Sequence, residues 1–362
     1  MQTATVPRIF ASLDGEELSA RVGREAISAA CAAPSADNNQ PWKFRLDASR
    51  SRIEVFCDLE HRLPSDVDGM FDLLSLGAAI ENMALQVSAR GRQAIVSTLD
   101  KSSYDTQQLR HVASLDYAQQ TDEPTDPLLA FVDARQTTRF PFSTRRIEDR
   151  YLEQIEKASI RDNSVRLEWE QDRAKIHNIA SLVALSDSLR FRYRAFHEEL
   201  HRQLRLTPQH VETSRDGLDY RTLGLPPGAK LVLRALRPWA TMSFLNRFGL
   251  SKLLSVPSMN LVRRSGAIGF VYLSDRSTQS MIAGGRAMQR IWLQATQLGL
   301  AIQPLGSLPI FLANESLPSE LSPLGERIQM RSKQLTPAPD HFLQMAFRIG
   351  YCKRRPSVRV TP

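Results

Sequence analysis

Apolar positions along the chain recur with two periods, and the alternation between them predicts the elements. From Gly15 to Ala33, Leu18, Val22, Ala26 and Ala30 step by four, which predicts a helix with Asp14 as its N-cap and a stop at Pro34. Arg52 to Cys57 (RIEVFC) alternates as a strand does. Helical spacing returns from Asp72 to Arg90, with Leu76, Ile80, Met83 and Val87 on one face and Gly91 as the C-terminal stop. Between Lys101 and Pro127 the chain turns polar and ends in DEPTDP, which marks a boundary between a first half, 1–125, and a second, 126–362.

The second half begins with Phe131 to Phe142 (FVDARQTTRFPF), leading into a helix over about 148–158 and a strand at Val165–Trp169. A long helix is predicted over about 174–204, its later stripe being Leu189, Tyr193, Phe196, Leu200 and Leu204. Residues 205–264 read as an irregular insertion of short helices, broken by prolines at 226, 227, 238 and 257. A buried strand at Gly266–Leu273, a helix at Gly285–Leu300 and a last strand at His341–Tyr351 follow. Residues 77–91 and 285–299 align without a gap at an offset of 208, sharing both terminal glycines, Ala79 with Ala287, Leu85 with Leu293 and Gln86 with Gln294. Periodicity alone is equally met by two ordinary amphipathic helices.

Composition narrows the classes. With 362 residues and 42% hydrophobic content the chain buries a core without staples, and no 18-residue stretch lacks both charges and polar breaks, so no membrane span is expected. Cys31, Cys57 and Cys352 form no metal or redox motif, and MQTATVPRIFASLDGEE lacks a basic leader before an apolar run; a reducing cytoplasm is expected. The net charge of +8 is uneven. Residues 223–264 carry seven basic side chains and no acidic one, and Lys353, Arg354, Arg355 and Arg359 close the chain. Neither stretch has the interleaved aromatics of a base-stacking platform, so nucleic acid is not expected as a partner.

Four strings carry candidate chemistry. In APSADNNQPWKF (33–44), the Ser35 hydroxyl and Asn38 amide stand on a proline-stiffened loop, which an Asx turn would also explain. In DARQTTRFPF (133–142), Arg135, Thr137 and Arg139 alternate, so an extended arm projects two guanidinium forks and a hydroxyl to one side; that suits a phosphate, though an exposed basic strand would show the same pattern. The tail RIGYCKRRPSVRVTP and the segment LGLAIQPLG (298–306) complete the set. Pro34, Ser35, Asn38 and Gln40-Pro-Trp together resemble the flavin loop of the nitroreductase family, and the arm and tail resemble that family's phosphate-binding termini.

That resemblance implies an α+β nitroreductase-like fold. Because the loop is intact only in the first half and the arm and tail only in the second, the chain is similar to the internally duplicated, Acg-like branch: a pseudo-dimer with central helices, two flanking sheets and a lid. It implies FMN as cofactor, held at the ring by Pro34, Ser35, Asn38 and Gln40. The phosphate falls to Arg135, Gln136, Thr137 and Arg139 with Arg355 and Arg359, while Leu305 and Gly306 place a backbone N–H near the hydride-accepting nitrogen. No catalytic side chain is implied, since the flavin carries the chemistry. The expected partners are NAD(P)H and a nitro, quinone or other conjugated acceptor; a monomer or weak homodimer is expected. The alternative is a non-enzymatic FMN-binding protein with a closed site. His197-Glu198-Glu199-Leu200-His201 also fits His-Glu-x-x-His, though Leu204 and Thr207 break its long form and no metal is assigned. The 205–264 insertion reads either as a lid over the flavin or as an amphipathic surface for anionic lipid or a partner protein.

Overall fold

Helix α1 (Gly15–Cys31) forms where the four-residue spacing places it, burying Val22, Ala26 and Ala30. Leu18 is exposed at its first turn, and Ser19 takes the inward position, donating to Ala48 O at 2.8 Å. The computed structural model describes residues 15–101, 104–225, 227–313, 321–335, 338 and 341–354; Asp14, the segment before it, Arg355 and Arg359 lie outside them.

The first half continues through β1 (Trp42–Asp47), β2 (Arg52–Asp58), α2 (Met70–Ser88), β3 (Ile95–Thr98) and β4 (Leu109–Asp116). The strands pair antiparallel in the order β1-β2-β4-β3. Strand β4 occupies the stretch expected to be a polar connector. Its apolar residues Val112, Ala113 and Leu115 are fully buried, but His111, Ser114 and Asp116 between them mask the alternation.

The second half opens with α3 (Asp149–Ser159) and β5 (Val165–Glu170). Where the first half turns directly from β1 to β2, residues 171–266 intervene: α4 (Arg173–Arg190), α5 (Arg194–Gln203), β6 (Leu204–Arg205), α6 (Pro208–Ser214), β7 (Leu218–Asp219), α7 (Ala229–Ala235), α8 (Trp239–Asn246) and α9 (Leu250–Arg263). The single helix expected over 174–204 is therefore two. Asn246 Nδ2 donates to Phe191 O at 2.7 Å and Arg192 Nε to Ser251 Oγ at 3.1 Å, so later helices of the insertion capture the end of α4. Such capture satisfies the orphan carbonyls that a continuing helix would have used.

The half then closes with β8 (Ala267–Leu273), α10 (Thr278–Gln297), β9 (Ala301–Pro304), α11 (Ser307–Ala313), α12 (Ser322–Leu335) and β10 (Phe342–Gly350). Its sheet runs β5-β8-β10-β9, the same first-second-fourth-third order as the other half. Both sheets carry a bulge at the same pairing, beside Val55/Phe56 between β2 and β4 and beside Leu343/Met345 between β10 and β8. α1 packs on α2 as α3 packs on α10, and α2 packs on α10 at the centre. The duplicated α+β architecture expected from the paired glycines is present, with one continuous core spanning both halves.

Candidate functional site

The loop that follows α1 is held in a conformation its composition favours. Asp37, Asn38 and Gln40 all have positive φ (47°, 58° and 50°), a region where Asn and Asp are the most tolerant non-glycine residues. Ser35 Oγ accepts from Gln40 N at 3.0 Å, closing the turn. Asn39 Nδ2 donates to Asp72 Oδ1 at 3.0 Å and to His61 O at 3.2 Å, fixing the loop to the start of α2.

The arm runs beside β9 as an added edge: Thr137 bridges Ile302 in parallel, and Thr138 N donates to Ile302 O at 3.0 Å. Arg348 of β10, with no exposed surface, sets its path. Its guanidinium donates to Phe140 O (2.8 Å), Thr138 O (3.2 Å), Gln303 Oε1 (2.7 Å) and Leu261 O (3.3 Å), and lies 3.8 Å from the Phe142 ring centroid. Burial pulls its pKa down to about 9. The carbonyls and the ring face are what a buried guanidinium without a carboxylate needs.

Loop and arm meet across a cavity of about 340 Å³ between the halves. Pro34 and Ser35 line it from the first half, Thr137, Arg139, Leu305 and Gly306 from the second. Phe71, Leu74 and Ala78 of α2 and Met288 and Trp292 of α10 form its apolar walls, and α4, α5 and α9 of the insertion roof it with Val183, Leu200 and Leu261. Alternation along the arm turns Gln136 and Thr138 to the other side, toward a small recess beside Cys352 and Arg354. Arg135 lies 4.8 Å from the Trp292 ring centroid and donates to Ala32 O at 3.3 Å. Gln40 Nε2 donates to Arg215 O at 2.8 Å, and Asn38 is next to Asp37, which lines the wall. Leu305 N–H is spent on Ala346 O at 2.7 Å, so of the two expected positions only Gly306 keeps an amide without a backbone partner among the described residues.

Two cations line the cavity, Arg139 and Arg190, and Arg190 is paired with Asp37 at 3.7 Å. Among the described residues no carboxylate forms an ion pair with Arg139, which donates to Thr222 O at 3.5 Å. Burial lowers its pKa, and the charge of Asp37 works in the opposite direction. Sequence reasoning missed Asp187 and Arg190, which the roof brings in on α4. Burial raises the Asp187 pKa while hydrogen bonds from Ser258 and Ser307 and the Arg190 charge lower it. Nothing local in the sequence marks these residues, because their partners come from three separate elements.

His-Glu-x-x-His falls on α5 and is used for packing. His197 is fully buried against Arg237 O (3.2 Å), and Glu198 is paired with Arg194 at 2.7 Å on the exposed face. Glu199 accepts from Ser65 N (2.7 Å) and Ser65 Oγ (2.6 Å), clipping the insertion to the first half. Burial and the charges of His197 and Arg237 pull His201 down to about 4. No group of three metal-ligating side chains exists among the described residues.

The internal duplication creates a second, equivalent cleft between α2 and α10, and its chemistry differs. Asn82 Nδ2 donates to Ala29 O at 2.9 Å in the last turns of α1; at the equivalent place in α3, Arg290 Nε donates to Ala158 O at 2.6 Å. Arg290 also holds Glu81 and Asp126, each at 2.8 Å, and Arg286 holds Glu81 at 2.8 Å. Segment 121–128 lines this cleft in place of an arm.

No family model matches the chain. It is 27% identical over 285 residues to Uncharacterized protein MT1398 of Mycobacterium tuberculosis (strain CDC 1551 / Oshkosh), covering 78% of this chain and 38% of that protein. It is 28% identical over 181 residues to the Putative NAD(P)H nitroreductase acg of the same strain, covering 49% of this chain and 52% of that protein. The chain thus spans about half or less of the length of these relatives. Among solved structures, a nitroreductase with bound FMN from Desulfitobacterium hafniense aligns at 14% identity and TM-score 0.37, over 65% of this chain and 95% of its own. One from Bacteroides fragilis, also with bound FMN, aligns at 10% and 0.36 over 65% and 96%. The FMN-dependent nitroreductase NfnB of Mycobacterium smegmatis in complex with NADPH aligns at 15% and 0.33 over 62% and 86%. In sequence the chain resembles the Acg-like nitroreductases.

Proposed function

We propose that this chain is an FMN-dependent oxidoreductase that takes electrons from NAD(P)H and passes them to a nitro, quinone or other conjugated acceptor. The observation that carries this reading is the convergence on one cavity of Pro34–Ser35, Thr137–Arg139 and Leu305–Gly306, segments separated by about 100 and 170 residues.

The cavity's donor set fits such a cofactor. Arg139, which lines it, is desolvated without a paired carboxylate; in the adjoining loop, outside the lining, the buried Asn38 Nδ2 lacks a hydrogen-bond partner among the described residues. An unpaired buried donor is costly unless a ligand satisfies it. Bound FMN would supply reversible hydride acceptance. Arg139 and Thr137, with Arg135 on the same side of the arm and Arg355 and Arg359 of the tail, would take the phosphate, whereas Gln136 faces the recess on the other side. Pro34, Ser35, Asn38 and Gln40 would shape the ring edge, and Gly306 N–H would face the ring's centre. Trp292 and Phe71 exclude water from the walls. No side chain of the chain acts as acid or base in this reading.

In the same reading residues 1–125 and 126–362 are the two nitroreductase-like halves, the roof within 205–264 acts as a lid, and a monomer or weak homodimer suffices because both halves are in one chain. The roof also favours the second reading, a binding protein whose closed cavity holds FMN without turnover. Anaerobic mixing of the FMN-loaded protein with NADH or NADPH separates them. Loss of the flavin absorbance within seconds supports the oxidoreductase; retained colour supports the binding protein; failure to take up FMN removes both.

A further inference from the structure

The first half of helix α9 is amphipathic the wrong way round for a helix of a protein interior, while Val262 near its end joins the buried core. It faces the protein with Ser251 and Ser255, 0% and 5% exposed, and faces solvent with Leu253, 66% exposed, and Val256. Phe248, just before it, is 77% exposed, and its ring packs edge-on against Phe244 of α8 at 5.5 Å. Seven of the eleven large apolar side chains left exposed among the described residues fall between 225 and 256, including Leu231 and Val232 of α7. Single exposed apolar residues are ordinary, but such a concentration is the mark of an interaction site.

This arrangement is held by specific contacts. Ser251 Oγ accepts from Arg192 Nε at 3.1 Å, Ser251 N donates to Asn246 Oδ1 at 3.1 Å, and Asn246 Nδ2 reaches Phe191 O. Rotating α9 to bury Leu253 would break these bonds and strand the serines. The apolar side chains therefore stay outward.

Charge identifies the occupant. Residues 223–264 contain seven Lys or Arg and no Asp or Glu, and Arg247 and Lys252, which alternate with Phe248 and Leu253 in the chain, are exposed. Aromatic and aliphatic side chains bordered only by cations match an anionic lipid surface, where the rings enter the acyl boundary and each cation meets a headgroup phosphate. Among the described residues no helix is long and apolar enough to cross a membrane, so the contact is superficial. We infer that the α8–α9 face of the insertion docks this protein on an anionic lipid bilayer. Because Ser258, Leu261 and Val262 at the other end of α9 line the cavity, docking sets that cavity next to the bilayer. The inference does not depend on the bound cofactor.

Flotation of the full chain with vesicles of phosphatidylcholine alone, or of phosphatidylcholine with 30–40% phosphatidylglycerol, tests it. The anionic vesicles should bind the protein at least tenfold better, and raising salt to about 0.5 M should remove most of that preference. The variants Phe248→Ser with Leu253→Ser, and separately Arg247→Glu with Lys252→Glu, should each lose binding while keeping the wild-type circular dichroism and melting temperature, since these side chains are solvent-exposed. Equal affinity for neutral vesicles, or no affinity for either, overturns the inference. So does a concentration-dependent dimer that the serine variant abolishes in a protein that ignores vesicles, because the face then belongs to a second copy.

Discussion

Gly77 and Gly285 meet back to back where α2 crosses α10. A Cβ built on Gly77 would lie 2.8 Å from Gly285 Cα, and one on Gly285 would lie 2.9 Å from Gly77 Cα. The relation extends beyond the pair: the Gly77 Cβ would run into the carbonyl of Ile282 and the Gly285 Cβ into that of Leu74, residues themselves 208 apart. Such reciprocity is what a two-fold interface produces, here within one chain.

Gly285→Ala therefore has no room, because the obstacle is backbone on the facing helix. The substitution should cost about 3 kcal/mol or more and lower the melting temperature by several degrees. Gly15→Ala, at a helix start with nothing within 4 Å, is the control and should leave stability within about 1 kcal/mol of wild type. Thermal unfolding by circular dichroism reads both.

Arg139→Ala should weaken FMN binding by about 10- to 100-fold, the worth of one charge-assisted contact. The melting temperature of the apo protein should fall little or rise slightly, since the variant removes a desolvated cation with no paired carboxylate. Fluorescence titration with FMN checks the first point. An unchanged affinity would separate the arm from the phosphate.

Arg348→Met should behave differently, acting on fold and site together. It leaves the carbonyls of Thr138, Phe140 and Leu261 and the Gln303 side chain without their shared donor. A loss of about 2–4 kcal/mol in urea unfolding is expected, with FMN affinity falling in parallel because the arm loses its anchor.

These two arginines illustrate what the sequence discloses. Arg139 is legible because its alternation with Thr137 is a local pattern, and the loop at 33–44 is legible for the same reason. Arg348 sits inside an ordinary-looking strand, and its significance arises from partners on three other segments. Asp187 and Arg190 were hidden in a helix whose stripe described only its core face. The break between α4 and α5 was hidden too, because Asn246, more than fifty residues away, decides it. Strand β4 escaped because polar residues at its margins diluted three buried apolar ones.

Asp66 and Asp72 give a pH prediction. The Asp66 carboxylate accepts from Phe71 N (2.8 Å) and Asp72 N (2.9 Å), and burial together with the Asp72 charge raises its pKa to about 7. Burial raises Asp72 to about 6 against the hydrogen bond from Asn39 and the charge of Arg62. Both native values lie above the ordinary carboxylate range, so the folded state binds protons that the unfolded chain releases. The pair's contribution to stability is complete below about pH 4 and is lost as pH rises toward 7. Asp72→Asn keeps an acceptor for Asn39 and removes the repulsion with Asp66. Relative to wild type, it should gain about 1–2 kcal/mol in urea unfolding between pH 5 and pH 8. A difference that stays flat over that range would show that the pair does not titrate there.

The continuous chain between β4 and α3 has a consequence for the cavity that lies between the halves. When two separate subunits build such a cavity, its population follows mass action and falls on dilution. Here the partner surface is tethered, at an effective concentration set by the connection and not by expression level. A molecule present in few copies per cell keeps the cavity assembled, and one half can change sequence without changing the other. The ion pairs around Arg290 stand where a symmetric dimer would have been obliged to repeat Asn82.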